Sequence, residues 1–107
     1  MDFKHDKTEH LIQKLAGEFI ERESNRNSLI TVTRVYLPTD MKRAIIMCTV
    51  LPEGQEENAI NFLKRLRGEF KEYFKKHAKV GRIPFFDFEL DKGEKIAQRI
   101  RDLSEDM

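Results

Sequence analysis

The sequence predicts an α+β fold: a three-stranded mixed sheet covered on one face by helices. Three observations support this. Two β-branched stretches, "LITVTRVYL" and "RAIIMCTVL", are separated only by "PTDMK", so they should pair as an antiparallel hairpin. A long helical segment follows before a third alternating stretch, "IPFFDFEL". A helical crossover of that length lets the second and third strands lie parallel, with a right-handed connection.

Each element has its own signal. In residues 7–22, "KTEHLIQKLAGEFIER", Leu11, Ile12, Leu15, Ala16, Phe19 and Ile20 share one helical face. "ESNRNS" is a polar loop. The first strand, 29–37, ends at Pro38; the second, 43–51, ends at "PEG". Glu53, Glu56 and Glu57 gather where a helix dipole favours acids, and Ala59, Ile60, Leu63, Leu66, Phe70, Tyr73 and Phe74 carry an apolar stripe to about Lys76. "VGR" ends it. In the third strand Pro84, Phe86, Phe88 and Leu90 alternate with Phe85, Asp87 and Glu89. A final amphipathic helix over "DKGEKIAQRIRDLSE" would turn Ile96, Ile100 and Leu103 inward, leaving 104–107 as a frayed tail.

A chain of 107 residues, 39% hydrophobic and 36% charged, suits a single domain with a highly charged surface. Its one cysteine, Cys48, cannot close an internal disulfide and points to a reducing compartment. The start "MDFKHDKTEH" is too polar for a secretory leader, and no apolar run approaches the ~18 residues of a membrane span. A cytoplasmic monomer without membrane contact is expected.

The net charge of +1 conceals segregation. Residues 62–82 hold Lys64, Arg65, Arg67, Lys71, Lys75, Lys76, Lys79 and Arg82 against Glu69 and Glu72: eight cations less two acids leaves +6. At about 100° per residue, Lys64, Arg67, Lys71, Lys75 and Lys79 fall within an arc of roughly 120°. Such an arc is either a solvated helix face or a surface that tracks phosphates. Lys42 and Arg43 in the hairpin join the candidate RNA-binding residues. Gly68 interrupts the stripe at Leu66-Arg67-Gly68. It reads either as a packing glycine or as a kink that aims two cationic half-helices.

Other residues support less chemistry. His5 and His10 are five apart, not the three or four that place two ligands on one helical face, and His77 is isolated. Cys48 alternates with Ala44, Ile46 and Val50 and is expected to be buried. No catalytic triad order or phosphate-binding loop appears; no metal or cofactor is expected. Ile45, Met47 and Phe85 point away from the helix-covered face. They are either exposed for base stacking or protein contact, or covered by another segment.

The hairpin, the broken helix and the third strand resemble a type II KH arrangement. In place of a GxxG loop the chain has Leu66-Arg67-Gly68, which resembles the AxG-type break of the ribosome-binding factor A family. Thr31, Val32, Thr33, Val35, Asp40, Met41 and Ala44 resemble that family's hairpin motif. Arg82, Pro84, Phe86, Phe88 and Asp91 resemble its "R-x-x-P-x-L-x-F-x-x-D" strand at adjusted spacing. The match runs over about 29–103. The family's Asp-Pro-Arg before the first strand is replaced by Asn25-Arg26-Asn27. The resemblance implies a non-enzymatic, RNA-binding assembly factor of the free small (30S) ribosomal subunit. Such a factor assists late maturation and 5′-end processing of 16S rRNA and matters most in the cold. Ribosomal proteins or an assembly GTPase are implied as further partners. A general KH-like nucleic-acid module and a protein–protein adaptor using the open sheet face are the alternatives.

Overall fold

The structure, a computed structural model, describes residues 3–24 and 28–92, with side chains from His5 onward. The elements run α1 (Phe3–Glu23), β1 (Leu29–Tyr36), β2 (Arg43–Leu51), α2 (Glu56–Arg65), α3 (Arg67–His77) and β3 (Phe85–Leu90). The sheet order is β1-β2-β3, antiparallel between β1 and β2 and parallel between β2 and β3. The expected mixed sheet is therefore present. The expected terminal helix and Asn25-Arg26-Asn27 lie outside the described residues.

One core joins the helices to one face of the sheet. Ile12, Leu15, Ala16, Phe19 and Ile20 of α1 meet Leu63 of α2, Phe70 and Phe74 of α3, Ala44, Ile46 and Cys48 of β2, and Phe86 and Phe88 of β3. Phe70 sits at the centre. Its ring centroid lies 4.7 Å from Phe86, 5.3 Å from Phe19, 6.0 Å from Phe88 and 6.2 Å from Phe74, all tilted or edge-on. Such pairs add roughly 0.5–1.5 kcal/mol each beyond burial of their area.

Three local features differ from the sequence reading. α1 begins at Phe3, four residues earlier than its apolar pattern. The His5 ring nitrogen Nε2 donates to the Leu37 carbonyl beyond β1, and Thr8 is buried, so tertiary contacts extend a polar first turn. In β1 the register shifts between Val32 and Arg34, a bulge at Thr33. The core-facing parity changes there, from Ile30 and Val32 to Val35 and Leu37. The third concerns the glycine. The long helix breaks within two residues of Gly68, as expected, but the break lies at Leu66 (φ −95°, ψ 7°). The Leu66 N–H donates to Leu63 O at 2.9 Å, a tightened last turn, and α3 restarts with Phe70 N–H on Leu66 O at 2.9 Å. Gly68 falls in the first turn of α3, with no positive φ and nothing within 4 Å of where a Cβ would stand. It is therefore neither the hinge residue nor a close-packing glycine.

On the sheet face turned away from the core, the two readings of Ile45, Met47 and Phe85 divide. Ile45 (8% exposed) and Met47 (2%) are buried, packed with Tyr36 in a small second cluster. They lie on the central strand, where Tyr36 and Arg34 flank them from β1 and Asp87 and Glu89 from β3. Phe85, on the edge strand, remains 55% exposed.

Candidate nucleic-acid interface

The parallel register sets Arg43 beside Phe85 and Ile45 beside Asp87. Alternation therefore brings Arg43, Phe85 and Asp87 to one side of the β2–β3 edge, where the α2–α3 break adds Lys64 and Arg67. Asp87 is the hub. Its Oδ1 accepts from Lys64 Nζ at 3.0 Å, Arg67 Nη1 at 3.2 Å and the Phe88 N–H at 2.9 Å; its Oδ2 accepts from Arg43 Nη2 at 3.1 Å. The Asp87 side chain is 7% exposed, whereas its three cationic partners are 36–57% exposed. Burial by itself would raise the Asp87 pKa. The Lys64 hydrogen bond and charge, the Phe88 N–H and the Arg43 hydrogen bond outweigh it and hold the carboxyl below its usual range. Three cations around one carboxylate leave a local surplus of two charges.

The same cations surround the exposed ring. The guanidinium carbon of Arg67 lies 5.4 Å from the Phe85 centroid and that of Arg43 lies 5.9 Å from it. A shallow groove of about 350 Å³ runs beside them, lined by Arg67, Gly68, Lys71, Ile83, Pro84, Phe85 and Phe86. Arg67, Lys71 and Lys75 follow one another at i, i+4 spacing along α3. Lys71 and Lys75 are exposed, and among the described residues no carboxylate pairs with either. The turn before β2 adds Lys42, which is exposed and whose carbonyl accepts the Phe85 N–H at 2.9 Å.

The other flank of α3 differs. Arg65 and Lys76 line a depression of about 520 Å³ together with Arg22, Glu23, Glu69, Glu72, Tyr73 and His77. Here three acids face three cations. Tyr73 stacks on His77 (4.2 Å, 27°), lies under Arg22 and donates its hydroxyl to Glu18 at 3.3 Å. Arg65 and Lys76 are thus separated from the Arg67–Lys71–Lys75 row. Lys79 is not on the helical arc at all, because α3 ends at His77 and Ala78 is extended (ψ 139°). Lys79 and Arg82 are exposed in the loop that leads to β3.

Asp87 was missed by counting charge only over 62–82. The signal was an acid set between two phenylalanines inside "FFDFEL". In the strand motif quoted above, Phe85 and Asp87 occupy unspecified "x" positions, so the motif did not single them out. A second nearly buried acid, Asp91, accepts from the Thr33 hydroxyl and from Arg34 Nε at 3.1 Å, which ties the end of β3 to the bulge. Cys48 is fully buried, and burial, with a smaller contribution from Asp91, pushes its thiol up to about 12. No described helix is long and apolar enough to cross a membrane.

Comparison with known proteins adds a second line. The family model described as Ribosome-binding factor A matches residues 4–104. A Ribosome-binding factor A from Fervidobacterium nodosum is 28% identical over 108 residues, covering 95% of this chain and 86% of that protein. The crystal structure of ribosome-binding factor A from Thermus thermophilus is similar at a TM-score of 0.73 and 20% identity, over 83% of this chain and 98% of that one. A Thermus thermophilus ribosome binding factor A homology model, fitted into a cryo-EM map of a 30S complex, is similar at 0.68 and 22%, over 77% and 89%. At those identities the two structures speak to the fold.

Proposed function

Because the chain belongs to the ribosome-binding factor A family, we propose that it binds the free small (30S) ribosomal subunit through its 16S rRNA. In this reading it assists late maturation of that RNA, including 5′-end processing, without covalent chemistry. It acts as a single-domain cytoplasmic monomer and is needed most in the cold, with ribosomal proteins or an assembly GTPase as further partners. The observation that carries the reading is the cationic row Arg67–Lys71–Lys75 beside the Phe85 groove, with Lys71 and Lys75 exposed. A relative fitted into a 30S complex supports the same partner.

Phosphate contact explains why a helix face would keep cations without acids at i, i+4. Such a face adds little to helix stability and much to affinity for a polyanion. Of the proposed contacts, Lys71, Lys75 and Lys42 are the most directly presented. Arg43, Lys64 and Arg67 would act as an ordered group, while Lys79 and Arg82 would reach from the loop. Arg65 and Lys76, facing acids, would contribute least.

Sedimentation of a cell extract on a gradient tests the partner: the protein should run with free small subunits. If four to six phosphates are neutralised, log K should fall against log salt with a slope of roughly −3 to −5. Equal binding to arbitrary single strands, with no preference for small subunits, would replace this reading with a general nucleic-acid module. Binding insensitive to salt would point to an adaptor.

A further inference from the structure

We propose that Phe85, Arg43, Arg67 and Asp87 form a preassembled clamp that stacks one unpaired base of the bound RNA on Phe85 and sets its phosphate toward Lys71. This rests on the reading that the flank meets RNA, and it names what is held there.

The fold makes little use of the Phe85 ring. The side chain is 55% exposed at a sheet edge, while Phe86 and Phe88 already fill the core from the same strand. Its neighbours, Arg43 and Arg67, lie 5.9 and 5.4 Å from its centroid. A half-exposed ring with two guanidiniums over it offers a base both a π-face and guanidinium planes to stack on, and every base has a π-face. Lys71 also lines the adjoining groove, and its exposed side chain is able to meet a phosphate. Duplex RNA does not offer a base to such a platform; an unpaired nucleotide does.

Asp87 is the positioning residue. It binds no RNA, since its carboxylate is nearly buried and would repel phosphate. By accepting from Arg43 Nη2 and Arg67 Nη1, it fixes two long side chains beside the ring before RNA arrives. Ordering in advance lowers the entropy lost on binding. The consequence opposes simple charge counting. Asp87→Asn makes the surface more positive, so electrostatics alone predicts tighter binding; loss of the clamp predicts weaker binding.

The test uses the full chain, purified free small subunits, and a short unstructured oligoribonucleotide carrying one 2-aminopurine. Wild type should quench the 2-aminopurine. Phe85→Ala should abolish the quench and weaken subunit binding roughly tenfold, with an unchanged melting temperature because the ring is outside the core. Phe85→Trp should restore both. Asp87→Asn should weaken binding despite its added positive charge. Phe85→Ala with wild-type affinity and quenching would overturn the clamp, as would a folded Asp87→Asn that binds more tightly. If Lys71→Glu/Lys75→Glu still weakens subunit binding in that case, the clamp alone falls. If neither that pair nor Phe85→Ala has an effect, the RNA reading of the flank falls with it.

Discussion

The Tyr73 flank of α3 carries three cations and the Phe85 flank five, and the two treat them in opposite ways. On the Tyr73 side, Arg22, Arg65 and Lys76 share their depression with Glu23, Glu69 and Glu72. Three cations and three acids there cancel in number, as on an ordinary solvated surface. On the Phe85 side a single acid, Asp87, serves Arg43, Lys64 and Arg67 at once, and Lys71 and Lys75 continue the row. One carboxylate cannot neutralise that side, but it can order it. A count of charges along the chain therefore says less about a binding surface than whether the acids disperse the cations or gather them.

The largest effect expected is at the pillar both flanks share. Phe70→Ala removes a fully buried ring in contact with Phe19, Phe74, Phe86 and Phe88. It should cost about 3–5 kcal/mol in denaturant unfolding. Both flanks should lose order together; a small loss would mean that α3 is not the common support.

Asp87→Asn should cost less, on the order of 1–2 kcal/mol, because the stranded cations remain partly solvated. Its pH signature separates the flanks. The Asp87 carboxyl titrates below its usual range in the folded state. Its contribution is therefore present above the ordinary carboxylate pKa of about 4 and lost as pH falls through the lower folded value. Wild-type unfolding midpoints should drop more on acidification below about pH 4 than those of Asp87→Asn. Parallel curves would show that Asp87 is not stabilised by its cations.

Gly68→Ala should have the smallest effect. The position lines both depressions, has space for a Cβ and needs no positive φ. The substitution should stabilise α3 by up to about 1 kcal/mol. Destabilisation would return the hinge role to the glycine and weaken the assignment of the break to Leu66.

Features set by local pattern were legible in the sequence. The strands stand where alternation and Pro38 predicted them, and the helix break lies beside the glycine that drew attention to it. Features set by partners distant along the chain were not. The early start of α1 depends on His5 reaching Leu37, 32 residues on. The Thr33 bulge is a matter of pairing with β2. Ile45 and Met47 alternate away from the core face, yet they are buried in a cluster with Tyr36. Asp87 reaches partners 20, 23 and 44 residues away, so no short window along the chain contains the cluster. Of the five cations of the expected arc, Arg67, Lys71 and Lys75 follow one another along α3; Lys64 lies in α2, before the break, and Lys79 lies past the end of α3 at His77.

Equilibrium binding to free small subunits at ~0.15 M salt, with charge reversed on one flank at a time, tests the difference between the flanks most directly. Lys71→Glu/Lys75→Glu should weaken binding by roughly tenfold or more, since two phosphate contacts become repulsive. Arg65→Glu/Lys76→Glu, an equal change in charge on the Tyr73 side, should have a much smaller effect. Equal losses from the two pairs, or a larger loss from Arg65→Glu/Lys76→Glu, would contradict the assignment of the RNA surface to the Phe85 flank.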